Sequence, residues 1–211
     1  MKYKHVVWDW NGTLLDDGLL CVEVLNELLK KRCMKEITFE QYQAFFEFPV
    51  ESYYKKLGFD FNKESFEEIS TEFILNYNKK CHGCELQPNA KRVLDAISKT
   101  NISQSILSAM KQKNLVNLVE NNGLSKYFTD IIGLDNHHAK SKVEIGKQWI
   151  TMSAFKNSEI LYVGDTIHDH EVARTLEVDC VLIPSGHQSK ERLERREVPI
   201  ISSLNEVLNF L

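Results

Sequence analysis

The chain has 211 residues, 43% of them apolar, and a formal net charge of −4 with both signs spread along its length. That length fits one large domain or a domain with a smaller insert, and the apolar share is enough to bury a core. The mixed, mildly acidic charge argues against a nucleic-acid or membrane-binding surface, and four prolines with nine glycines are too few for a fibrous or disordered chain.

No apolar run approaches the length of a membrane span, and no apolar leader follows Met1, so a soluble, cytoplasmic protein is expected. Five cysteines are an odd count for a disulfide framework. Cys81 and Cys84 have C-x-x-C spacing, but no second such pair completes a four-ligand zinc site, so reduced thiols are expected. The Asn11 and Asn101 sequons are read as chance in an unsecreted chain.

In chain order, the first apolar run, His5–Trp8, has the length of a buried strand and delivers Asp9 into an Asn11-Gly12 turn. From 16 to 86 the pattern is helical only. Leu20, Val24, Leu25, Leu28 and Leu29 form one apolar stripe; Phe66, Ile69, Phe73 and Tyr77 form another at spacings of three and four. Thr38 and Gln41 offer a capping box, and Gly58 a helix end. The aromatics Tyr42, Phe45, Phe46, Phe48, Tyr53 and Tyr54 are expected to serve packing.

Strands and helices then alternate. A helix over 88–99, with Pro88 in its first turn, precedes a strand over 102–107 that ends at Ser108. A helix over 111–122 is closed by Gly123 and followed by the strand Asp130–Leu134. The segment 135–142 carries Lys140 and Lys142 into a helix over 141–155, which Ser141 and Glu144 open as a capping box. A strand over 159–163 ends at Gly164-Asp165, with Asp169 four residues on; a helix over 169–177 and a strand over 179–183 follow. Such alternation predicts an α/β fold: a doubly wound parallel sheet, interrupted after its first strand by a helical insert. The division expected is a Rossmann-like core of 1–15 and 87–211 and a cap of 16–86, with hinges near Gly18 and at Gln87-Pro88.

In such sheets ligands bind beyond the carboxyl ends of the strands. Asp9, Ser108, a lysine of the 135–142 segment, Asp165 and Asp169 all fall at that edge. Carboxylates suit Mg2+, and a hydroxyl, a lysine and backbone N–H groups suit a phosphoryl group. The histidines His137, His138, His168, His170 and His187 lack paired ligand spacing and are expected at the surface.

These residues resemble, in order, the four motifs of the haloacid dehalogenase superfamily, in particular its phosphatases with a helical cap. Asp9-Trp10-Asn11-Gly12-Thr13-Leu14 is similar to D-x-D-G-T-L, Ile106-Leu107-Ser108 to an apolar strand ending in Ser or Thr, and a lysine before a helix to the third motif. Gly164-Asp165 with Asp169 resembles G-D-x-x-x-D. The resemblance implies Asp9 as nucleophile and Mg2+ ligand, Asn11 as a backbone-carbonyl ligand, Ser108 as phosphate binder, and Asp165 and Asp169 as metal residues. Lys142 is the preferred phosphate-binding lysine and Lys140 the alternative. The implied substrate is a small phosphorylated metabolite; oligomeric state has no signal.

One position departs. The family's phosphatases place at Asn11 an aspartate that protonates the leaving group and then activates water, and an amide carries no such proton. Three readings follow: a Mg2+-dependent phosphomonoesterase, a hydrolase of another bond such as a phosphonate, and a phospho-ligand binding protein with weak or lost turnover.

Overall fold

A computed structural model describes residues 2–134 and 141–211. Lys140 and the histidines at 137 and 138 lie outside the described residues. The sheet is five-stranded and parallel, comprising β1 (His5–Trp8), β2 (Ser103–Lys111), β3 (Asp130–Leu134), β4 (Ile160–Gly164) and β5 (Asp179–Leu182) in the order β3-β2-β1-β4-β5. Sequence order reverses at β1, which pairs with both β2 and β4. The crevice beyond the carboxyl ends of those central strands is where an open α/β sheet takes its ligand.

Alternation along each strand divides the core between two faces. Val7, Leu107 and Tyr162 pack with Ile145 and Val172, which come from α7 (Lys142–Met152) and α8 (Ile167–Thr175). Val6, Trp8, Ile106 and Leu161 point the other way, into a cluster with Val93 of α5 (Ala90–Ser98) and Leu115 of α6 (Gln112–Asn121). Both faces are covered, which is why these strands read as continuous apolar runs. Trp10 is fully buried in the second cluster and is not part of the site wall.

Between β1 and α5 the chain contains α1 (Gly18–Lys31), α2 (Phe39–Phe45), α3 (Val50–Leu57) and α4 (Phe66–Lys80). Val24, Leu25, Leu28 and Leu29 are buried, as are Ile69 and Tyr77, so the two helical stripes face each other. The Thr38–Gln41 box caps α2, and Gly58 ends α3 with φ 97°. Two passages join this insert to the sheet and run side by side. Asp16 N donates to Glu85 O at 2.9 Å and Gln87 N to Leu14 O at 2.8 Å, with Leu15 opposite Leu86.

Several boundaries differ from expectation. Strand β2 does not stop at Leu107: after a register shift it runs on to pair Lys111 with Leu134. Gly133 allows this, since a Cβ there would lie 2.7 Å from Met110 O. Pro88 lies outside α5, which begins at Ala90 after Asn89 takes φ 68°. Helix α8 starts two residues early because Thr166 caps it: Thr166 accepts from Asp169 N, and the Asp169 carboxylate accepts from Thr166 N at 3.0 Å.

Candidate active site

The carboxyl ends of β1 and β4 set the site. Asp9 follows β1, and its N–H continues the ladder to Val163 O at 2.9 Å. Asp165 follows β4, and Asp169 stands on the first turn of α8. Carboxylate oxygens of Asp9, Asp165 and Asp169 lie within 4.8 Å of one another, all buried. Thr13 Oγ1 bridges two of them, donating to Asp165 Oδ1 at 3.0 Å and toward Asp9 Oδ2 at 3.3 Å. Three glycines make this closeness possible. A Cβ on Gly12 or Gly186 would fall 2.4 or 2.2 Å from Asp165 Oδ2, and one on Gly164 would fall 2.3 Å from Asp169 Cβ.

Lys142, at the start of α7, reaches into the same cluster. Its Nζ donates to Asp9 Oδ1 and, at 2.6 Å, to Asp169 Oδ1. Ser108 is 1% exposed, and its Oγ accepts from Met110 N at 3.1 Å. The structure therefore brings Asp9, Ser108, Lys142, Asp165 and Asp169 to one chamber, together with Asn11.

Charge in this cluster is unbalanced. Burial pushes the Asp9 carboxyl up to about 8; Lys142 pulls against this, while Asp169 and Asp165 add to it. Burial likewise pushes Asp165 up to about 6 despite the attraction of His187. Asp169 is also buried, but the charge and hydrogen bond of Lys142 outweigh burial and hold it below the ordinary range. Lys142 is bonded to two of these three buried carboxylates and His187 stands beside the third, and the clustered hard oxygens fit Mg2+ rather than a soft metal.

Asn11 answers the question its sequence position raised. Its Nδ2 donates to Asp17 Oδ2 at 2.7 Å and to the Tyr77 hydroxyl at 2.8 Å, so both amide hydrogens are committed. Asp17 also accepts from Tyr77 OH at 2.7 Å and from Gly12 N at 2.9 Å, and its Oδ1 lies 3.5 Å from His187 Nε2. The other ring nitrogen of His187 faces Tyr42 OH at 3.0 Å, and its backbone N–H donates to Asp165 Oδ2 at 2.7 Å. Burial would lower the His187 pKa, but Asp17 outweighs it and raises the imidazole to about 9. Burial would raise Asp17, yet His187, Tyr77 and Asn11 hold it ionised.

His187 was expected at the surface and is instead 7% exposed beside Asp165. Its signal was the Ser185-Gly186-His187 turn after β5, at the edge where ligands bind, with a glycine granting close approach. Asp17, Tyr77 and Thr13 were also missed as site residues. Thr13 lies inside the Asp9–Leu14 motif but was given no role there, whereas Asp17 and Tyr77 take their positions from the fold of the insert.

From Asp9 a chamber of 470 Å³ extends under the helical insert. Its insert side is lined by Phe46, Phe48, Tyr53, Phe66, Phe73 and Ile74, so several aromatics expected to serve packing also face the cavity.

The family model for haloacid dehalogenase-like hydrolases matches residues 6–183. The chain belongs to the haloacid dehalogenase-like hydrolase family. A phosphoglycolate phosphatase of Vibrio parahaemolyticus is 24% identical over 128 residues, covering 60% of this chain and 56% of its own length. A relative from Caldanaerobacter subterraneus, named for pyrophosphatase activity, is 24% identical over 187 residues, 87% of this chain and 82% of its own. Among solved structures, a haloacid dehalogenase-like family hydrolase from Streptococcus pneumoniae superposes with a TM-score of 0.87 at 18% identity, over 99% of this chain and 98% of that one. Among the described residues no helix is long and apolar enough to cross a membrane.

Proposed function

We propose that this hydrolase is a Mg2+-dependent phosphatase of small phosphomonoesters that works through an aspartyl-phosphate on Asp9. The observation that carries the reading is the buried cluster of Asp9, Asp165 and Asp169 with Lys142 at the switch point of the sheet. The phosphatase names of its relatives support the same reaction class.

Asp9, Asp165 and Asp169, with the backbone carbonyl of Asn11, would hold Mg2+, which supplies positive charge to the phosphoryl oxygens and to Asp9. Lys142 and Ser108 would bind the phosphoryl oxygens, Lys142 as a point charge already directed into the cluster. Lys140 stays an alternative from outside the described residues. Asp9 would attack phosphorus as the ester P–O bond breaks and the alcohol oxygen leaves with the electron pair, and water would then cleave the aspartyl-phosphate to release phosphate and restore the carboxylate. Thr13 and Lys142 each donate to one of the two Asp9 oxygens and so orient the carboxylate. In this reading the core comprises 1–15 and 87–211, the cap comprises 16–86, and the paired passages at 14–16 and 85–87 serve as the hinge. Closure of the cap would exclude water from the chamber.

A panel of phosphomonoesters assayed with Mg2+ and after chelation tests the reading. Phosphate release that needs Mg2+ and is abolished in Asp9→Asn is expected; undiminished release after chelation would refute it.

A further inference from the structure

We infer that the chamber is built for a phosphomonoester whose alcohol is a flat aromatic ring, and not for a short carboxylated metabolite; the inference rests on the phosphomonoesterase reading above.

Two independent observations lead there. The first is the wall. Phe46, Phe48, Tyr53, Phe66, Phe73 and Ile74 come from the end of α2 and from α3, α4 and the segments between them, and together they line the insert side of the 470 Å³ cavity. Ring-on-ring and ring-on-edge contacts favour a flat apolar guest in such a space. Among the described residues the insert contributes no lysine or arginine to that wall, and its acid there, Asp17, is ionised. A two-carbon acid phosphate would leave most of the cavity unfilled and bring a carboxylate to apolar rings with no cation from the insert to receive it. The core contributes Lys142, already shared between Asp9 and Asp169, and Lys111 beside the end of β2 that carries Ser108.

The second observation is Asn11. With both amide hydrogens given to Asp17 and Tyr77, no proton at this position can follow the departing oxygen. His187 does not fill the gap, since one ring nitrogen faces Asp17 and the other Tyr42. When Asp9 attacks, the phosphorus–oxygen bond breaks and its electron pair leaves with the alcohol oxygen. An aryloxide carries that charge readily, because a phenol ionises near pH 10. An alkoxide does so far less readily and needs an acid that Asn11 does not supply among the described residues. The wall and the missing acid thus select the same substrate class by different physics, one through binding and one through leaving-group chemistry.

The test compares 1-naphthyl phosphate, phenyl phosphate and phosphoglycolate with Mg2+ on the intact protein. Naphthol and phenol have similar acidity, so a difference between the first two reads the chamber and not the bond. The expected result is a kcat/KM about tenfold higher for naphthyl than for phenyl phosphate, from the extra buried ring, with phosphoglycolate the poorest of the three. Ile74→Lys, at a position 43% exposed and therefore tolerant of change, should shrink the naphthyl advantage and raise phosphoglycolate turnover. Phe48→Ala, also at a partly exposed ring, should shrink the advantage without adding a charge. Equal rates for naphthyl and phenyl phosphate, or a preference for phosphoglycolate, would overturn the substrate class and leave the phosphatase reading intact. If none of the three is hydrolysed, the phosphatase reading fails separately. The chamber is then judged by the dissociation constants of naphthylmethylphosphonate and benzylphosphonate. Tighter naphthyl binding supports the aromatic ligand, and equal binding overturns it.

Discussion

At the scale of residues, the site turns on which groups carry protons. Asn11 is an amide where its family's phosphatases keep an acid, and it donates to Asp17 at 2.7 Å. Asn11→Asp would set two carboxylates at hydrogen-bond distance, where they must share a proton. The variant is expected to gain about a hundredfold on alkyl phosphates, less on aryl phosphates, and to lose about 1–3 kcal/mol of stability. Rate measurements on both ester classes, with intact mass verified because Asn-Gly deamidates, check this; no gain on alkyl esters removes Asn11 as the deficit. The Asp17–His187 pair makes a second prediction. His187 is raised from 6.5 to about 9 in the folded chain, so its stabilising share is complete below 6.5 and is lost as pH rises through 9. Asp9, raised from 3.8 to about 8, costs stability as pH rises through that window. The melting temperature of the metal-free protein should therefore fall toward pH 9, and His187→Gln should flatten the upper part of that fall. An unchanged slope in His187→Gln would contradict the pairing. Mg2+ competes with protons on Asp9 and Asp165, so its gain in melting temperature should be larger above pH 8 than below pH 6.

At the scale of elements, the insert is held to the sheet by the carbonyl end of α2. Phe46 O accepts from Gln188 Nε2 at 3.0 Å and from Arg192, and Gln43 O accepts from Ser189 N and Arg192 at 3.2 Å each. These are orphan carbonyls of a helix end, satisfied from the segment after β5, which includes the short helix Lys190–Leu193. Arg192→Ala removes a donor shared by both and should cost about 1–3 kcal/mol, seen as a lower melting temperature and faster amide exchange across α2. Exchange unchanged in α2 would show that this clasp does not hold the insert. Element identity was legible because periodicity switches cleanly: His5–Trp8 is a buried run, whereas Leu25, Leu28 and Leu29 mark one helical face. Boundaries were less legible where tertiary contacts decide them. Gly133 lets β2 continue to Lys111, and a cap on Thr166 starts α8 early. The first effect is a long-range contact; the second is local, a Thr166–Asp169 capping box that the apolar pattern alone does not mark.

At the scale of the molecule, the position of the site was legible because strand ends in a parallel sheet converge. Asp9, Ser108, Asp165 and Asp169 are far apart in the chain but share one edge by topology alone. His187 was not legible, because a lone histidine carries no spacing and acquires its role only from Gly186 and the packing of Asp17. The apolar chamber was hidden for a related reason. Aromatic residues at helical spacing predict a core, and that Phe46, Tyr53, Phe66 and Phe73 also face a cavity depends on how the insert packs against the sheet edge, which spacing does not carry. The covalent step proposed at Asp9 is read by acid quenching during turnover with Mg2+, followed by peptide mass spectrometry. One phosphoryl group on Asp9 is expected in the native chain and none in Asp9→Asn, which should not turn over. Sustained phosphate release without a phosphoryl group on Asp9, or by the folded Asp9→Asn chain, would contradict it.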